Sequence, residues 1–341
     1  MNPALPNYQF LPAPLWLISV LHLLTLTLHF VAMNFMFGGV MLILFSRATG
    51  RWNSATLRAF LKYFPTAMAA TISLGVAPLL FVQLVFPQQI YAAAIVSGWF
   101  WLKIISVLVI AYYCLYAASF SKNTGASGKY LGVALLGMVY VSLVYSSVFS
   151  MAERPDLYKT LYATNQSGLV INTDWSSWVF RWMHMLAGAA TVGGFFIGLL
   201  GRDDPEAASA GRKFFVGGMA AAFLLGFVYL MTLADIIKPI MRGPGVWALS
   251  LSILLSLGAL HLFFVRKFLP SAILLFVSLL GMVAMRHYVR LILLEKHYDP
   301  ATVTVSPQWS VFALFLVCFL LALAVLYYMI RLFVSARENP V

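Results

Sequence analysis

Residues 176–201, SSWVFRWMHMLAGAATVGGFFIGLLG, decide how the rest of the chain is read. The run is long and apolar enough to cross a bilayer as a helix. It carries a single histidine, His184, about one turn after Arg181, and small residues follow at Ala187, Gly188, Gly193, Gly194 and Gly198. A neutral imidazole in an apolar helix is costly unless its polar nitrogens find partners. Small residues let a second helix, or a flat ring, come close to the backbone. Two readings follow: a histidine bonded to a neighbouring helix, or a helix that holds a haem from one side. The positions of the other histidines favour the second.

The 341 residues are 62% hydrophobic, 15% aromatic and only 9% charged. Mean hydropathy is +0.91, and a soluble domain of this length does not carry that balance. Nine apolar spans can be drawn, at about 14–46, 60–86, 93–120, 130–151, 176–201, 212–236, 246–265, 268–293 and 308–335. The expected fold is all-α, a polytopic membrane bundle in one integral domain over 1–341. Four helices fill 1–151, an outer loop covers 152–175, and five helices fill 176–341. The first span is too long for one crossing, so part of it should protrude or lie in the interface. No removable signal peptide is read at the N-terminus.

The formal net charge of +12 reads as topology rather than as a nucleic-acid footprint. Arg47, Arg51, Arg58, Lys62, Lys122, Lys129, Arg202, Arg212, Lys213, Arg266, Lys267, Arg331 and Arg337 fall on one side. That side is cytoplasmic by the positive-inside rule, which puts the N-terminus outside and the C-terminus in the cytoplasm. The expected location is a bacterial inner membrane, crossed many times. Loop 152–175 is polar, with Glu153, Arg154, Asp156, Lys159 and Asp174, and reads as a linker or as a docking lip. The two cysteines, Cys114 and Cys318, sit in apolar runs. They belong to no CxxCH or CxxC, so c-type haem and iron–sulfur ligation are excluded from this chain.

Counting from the cytoplasmic end of each span at ~1.5 Å per residue places His29 about 17, His184 about 17 and His287 about 19 residues in. All three thus fall in one layer of the outer half. His22 is two turns further out on the face of His29. His261 and His297 read as structural or solvated. Three spans delivering imidazole to one depth suit axial ligation of haem iron. Zinc or copper is disfavoured, because no carboxylate or thiolate joins the layer. Arg181, Arg286 and Arg290 lie near these histidines and could pair with haem propionates or with a quinone-site acid; taken singly, each also reads as snorkelling to the interface. Asp235 opens a charged patch with Lys238 and Arg242 at the outer end of span six. It could accept a proton from a quinol hydroxyl, or be part of a solvated turn.

Several segments resemble subunit I of the cytochrome bd quinol oxidases. LHFVAMNFMFGG around His29 is similar to the family's first-helix segment, and Gly75-Val76-Ala77 to its GVATG segment. FRWMHMLAGAATVGGFFIGLLGRD is similar to its fifth helix, and Leu233-Ala234-Asp235 to the LGD that opens its quinol loop. The resemblance covers about the first 240 residues. It implies that His29 binds a haem of the active-site pair and His184 the low-spin haem b. The acids that the family uses for proton delivery are replaced by Gln83 and Lys103, its haem-ligating acid by Leu279 or a neighbour, the quinol loop is a short turn, and span seven has no Met. Oxygen reduction needs those acids.

The expected function is therefore a haem b membrane subunit, with one or two haems, of a respiratory complex. It would oxidise quinol and pass electrons to a cytochrome c, multihaem or not, or an iron–sulfur partner on the outer side. His184 would ligate one haem with His22 or His287 opposite, and His29 would ligate a second or be the opposite ligand of the first. The alternatives are a bd-type quinol:oxygen oxidase and a non-redox transporter with a histidine proton relay. Membrane lipid and quinone are expected partners, and nucleic acid is not.

Overall fold

A computed structural model describes residues 10–50 and 55–338. Among these the protein is helical throughout, and the sole β feature is an isolated parallel bridge between Leu11 and Val305. Nine described helices are long and apolar enough to cross a membrane. They are α1 (Leu15–Ala48), α3 (Phe64–Val85), α5 (Gly98–Phe120), α6 (Thr124–Ala152), α8 (Val179–Leu200), α9 (Pro205–Thr232), α11 (Pro244–Phe264), α12 (Phe268–Leu294) and α13 (Trp309–Glu338). Short helices α2 (Ala55–Ala59), α4 (Pro87–Val96), α7 (Pro155–Thr164) and α10 (Ile237–Arg242) join them. The protein is an all-α multi-pass membrane bundle, as its composition requires.

The helices begin and end where local chemistry dictates. Asn123 caps α6 through its side chain, accepting from the Ala126 amide. Asp204 caps α9 by accepting from the Glu206 and Ala207 amides, with Pro205 at the first helical position. The apolar run expected at 93–120 is broken at Ser97. The Ser97 hydroxyl donates to the Val170 carbonyl, and the Trp99 amide donates to the carbonyl of Gly168. The segment after α7 therefore folds back onto the bundle, with Asn172 and Trp178 fully buried. Loop 152–175 is thus more than a bare linker, and its residues 159–169 stay mostly exposed.

The packing differs between the two ends. At the end that the charges read as cytoplasmic, α1 and α8 run parallel with their backbones in contact. A Cβ added to Gly38 would lie 1.8 Å from the Ala189 carbonyl oxygen, and one on Gly193 would lie 2.4 Å from the Gly38 carbonyl carbon. Only glycine allows that approach. Met36, Val40, Ile43, Phe64, Leu131 and Ile197 close the core around it. At the opposite, outer end, Val82, Phe86, Val148, Met151 and Leu294 form a second core. Here polar groups are drawn inside: Glu153, Arg181 and Arg290 are 3%, 7% and 6% exposed.

Candidate functional site

Four histidines project from membrane-spanning helices at the outer half, and three are held in one way. His22 Nδ1 lies 3.1 Å from the Pro78 carbonyl oxygen, His29 Nδ1 2.9 Å from that of Thr71, and His184 Nδ1 2.7 Å from that of Ala222. A carbonyl oxygen only accepts, so Nδ1 carries the proton in each ring. In the neutral ring Nε2 then keeps its lone pair, the state in which histidine binds a metal.

His29 and His184 share a further device. The helix facing each presents a carbonyl and, four residues on, a glycine: Thr71 and Gly75 for His29, Ala222 and Gly226 for His184. A Cβ on Gly75 would come within 2.9 Å of the His29 ring, and one on Gly226 within 3.0 Å of His184. The glycines are the slots into which the rings fit. Both histidines precede the Gly38–Gly193 contact by about nine residues, which sets them at one height. Their rings turn to different neighbours, however, His29 to α3 and His184 to α9.

His287 is not beside these two. It stands two turns further out, against His22, with ring centroids 6.0 Å apart and planes at 55°. Its Nδ1 is buried and has no hydrogen-bond partner. The sequence expectation of one layer containing His29, His184 and His287 thus resolves into two singly pinned rings and one facing pair. Depth follows from counting residues, but ring direction depends on which helix lies alongside. His261 is exposed, and His297 lies 3.6 Å from an Asp156 carboxylate oxygen at the surface.

The arginines do not snorkel. Arg181 Nη2 donates to the Ser146 carbonyl at 2.8 Å and approaches its hydroxyl at 3.4 Å. Arg286 is paired with Glu153, and Arg290 Nε donates to the other oxygen of that carboxylate at 3.0 Å. Arg286 also reaches the Tyr229 hydroxyl at 3.5 Å. The Arg290 guanidinium sits between Phe86 and Phe149, 5.7 and 5.9 Å from their ring centres. Burial alone would push the Glu153 carboxyl up, but Arg286, Arg290 and Arg181 outweigh it and hold the group below the ordinary carboxylate range. Three guanidinium charges face one carboxylate, an excess of two positive charges. Nε of Arg181 and of Arg286 is buried without a partner.

Glu153 is the residue that sequence reasoning missed, filed there with a polar loop. Its signal was the imbalance itself. Three arginines inside spans require an anion, and buried charges pair.

Asp235 lies in a single 3-10 turn, Ala234–Ile236, and is exposed. Leu233 and Ile240 on either side of it pack on Met285 and Val289. The turn therefore abuts the part of α12 that carries Arg286 and His287. A wholly apolar cavity of about 310 Å³ lies between α1, α8 and α12, lined by residues including Val31, Val192, Phe196 and Leu279. Leu279, which stands where the resemblance expects a haem-binding acid, offers no ligand there.

Among the described residues no group of three or more His, Cys, Asp or Glu side chains could hold a bare metal ion. The residues present do fit a haem, whose porphyrin supplies four nitrogens and asks the protein only for axial ones. The class defined by fold and site is a multi-pass helical membrane protein with neutral imidazoles and a charged cluster buried at one end. No protein-family model matches the chain, and no curated protein matches it.

Proposed function

We propose that this chain is a haem b-binding membrane subunit of a respiratory electron-transfer complex in a bacterial cytoplasmic membrane. It oxidises quinol and passes electrons to a cytochrome c or iron–sulfur partner on the outer side. The observation that carries the reading is the shared state of His22, His29 and His184: Nδ1 donates to a backbone carbonyl and Nε2 is left with its lone pair in an apolar bundle. A ligating histidine needs that second hydrogen bond to fix its tautomer and direction.

Haem, when bound, supplies one-electron chemistry. The chain's own residues do the rest. The anchored imidazoles would hold the iron, Arg181, Arg286 and Arg290 would offer cationic donors to the propionates, and the apolar helices exclude water. Asp235, exposed at the outer turn, accepts a proton from a quinol hydroxyl and releases it to the solvent. The segments that resemble subunit I of the bd oxidases point to the same chemistry. Two features argue for quinol oxidation without oxygen reduction. Leu279 faces an apolar cavity, and Lys103, at the place of a proton-carrying acid, is exposed on the outer surface of α5.

The test is anaerobic addition of a short-chain quinol to the detergent-purified complex. The expected result is reduction of a b-type absorption band, weakened when Asp235 is changed to Asn. A complex with no Soret band overturns the reading and leaves a transporter. Rapid oxygen consumption with quinol replaces it with a terminal oxidase.

A further inference from the structure

We propose that His22 and His287 are the two axial ligands of one haem, set between α1 and α12 and distinct from any held by His29 or His184. The inference rests on the haem reading above and deepens it by assigning an axial pair.

Four observations carry it. The first is spacing. Two metal–imidazole bonds of about 2 Å, with about 1 Å from each ring centre to its nitrogen, span about 6 Å. The His22 and His287 ring centres are 6.0 Å apart. The second is the state of the rings. His22 is fixed through Nδ1 on the Pro78 carbonyl, which leaves its Nε2 lone pair for a metal, and His287 is the ring that faces it. The third is number. Two histidines are too few for a structural or catalytic zinc, which takes three or four protein ligands. They are the full complement that a porphyrin iron needs.

The fourth is charge. Arg286 directly precedes His287 and Arg290 follows it by about one turn, and with Arg181 they exceed Glu153 by two positive charges. Two propionates match that excess, and the unpartnered Nε atoms of Arg181 and Arg286 supply donors for them. His29 and His184, by contrast, turn towards α3 and α9, and no second imidazole faces either ring. The two kinds of histidine therefore give different iron centres. His22 with His287 makes a six-coordinate low-spin haem that is closed to added ligands.

The experiment uses the full chain purified with its native haem. Low-temperature electron paramagnetic resonance of the oxidised protein reads spin state, and carbon monoxide difference spectra of the reduced protein read open coordination. The wild type is expected to show a low-spin signal of the bis-imidazole kind. His22→Ala and His287→Ala should each abolish that same signal and create a carbon monoxide-binding haem, with His261→Ala as the unaffected control. If the alanine variants do not fold, His22→Met and His287→Met keep a ligand in place. Each should raise the midpoint potential of one haem, since methionine in place of histidine does so. A low-spin signal unmoved by changes at either residue overturns the axial pairing and leaves the haem reading intact. A wild-type protein without haem overturns both.

Discussion

The two halves of the bundle are built on opposite principles. At the cytoplasmic-reading end, α1 and α8 touch backbone to backbone at Gly38 and Gly193, and the core around them is aliphatic and aromatic. At the outer end, Glu153, Arg181, Arg290 and His22 are buried, with Phe86, Phe149 and Tyr229 against the arginines there. One end is close-packed and chemically inert. The other spends packing on groups that are expensive to bury. A membrane protein has no stability reason to do that, so the outer half is where function belongs.

The widest gap between the halves should appear when Glu153 is changed to Gln. The substitution keeps the shape and removes the lone anion among Arg181, Arg286 and Arg290. Breaking a buried ion pair in this way costs about 3–5 kcal/mol. Thermal unfolding in detergent should show it as a large drop in midpoint. A fall no larger than that from disrupting the half-exposed Arg154–Asp174 pair, about 0–1 kcal/mol, would erase the distinction.

Next comes Gly193→Ala in the inert half. The new methyl meets the Gly38 backbone within 2.4–2.7 Å, and overpacking of this kind costs about 1–3 kcal/mol. Stability should fall while the haem spectrum is unchanged. Gly226→Ala should do the reverse. Its methyl comes within 3.0 Å of the His184 ring, so the ring must shift by a few tenths of an ångström. The expected result is a displaced absorption maximum with a loss of stability smaller than that of Gly193→Ala. If both variants change stability and spectrum alike, the two halves are not separable.

Acid reaches the same carboxylate by titration. The Glu153 carboxyl is held below its ordinary range. Its contribution is therefore complete above the ordinary carboxylate value and is lost only as pH falls through the lowered one. Hydrogen exchange should find the outer half intact through the ordinary carboxylate range and loosening only at more acid pH. Glu153→Gln should lack that transition.

The nine spans were legible because length and hydropathy alone specify a membrane helix, and α1, α8 and α12 lie close to the residues expected. The depth of His29 and His184 was legible too, since helical rise is fixed. Ring direction was not. Whether His184 turns to α9 or to His22 depends on helix neighbours, which a single span does not encode. The break at Ser97 was hidden because its cause, the backbone of Gly168 and Val170, lies about 70 residues away. Glu153 was hidden because a carboxylate beside Arg154 and Asp156 reads as loop until the charges inside the spans are counted.

The central claim is that imidazoles anchored through Nδ1 in the outer half hold iron porphyrin. Pyridine haemochrome analysis of the purified protein measures this directly as haem b per chain. The account predicts at least one haem per chain in the wild type and a loss of haem in His184→Ala, with His261→Ala unchanged. A wild-type protein that carries no haem after purification from its own membrane would contradict it.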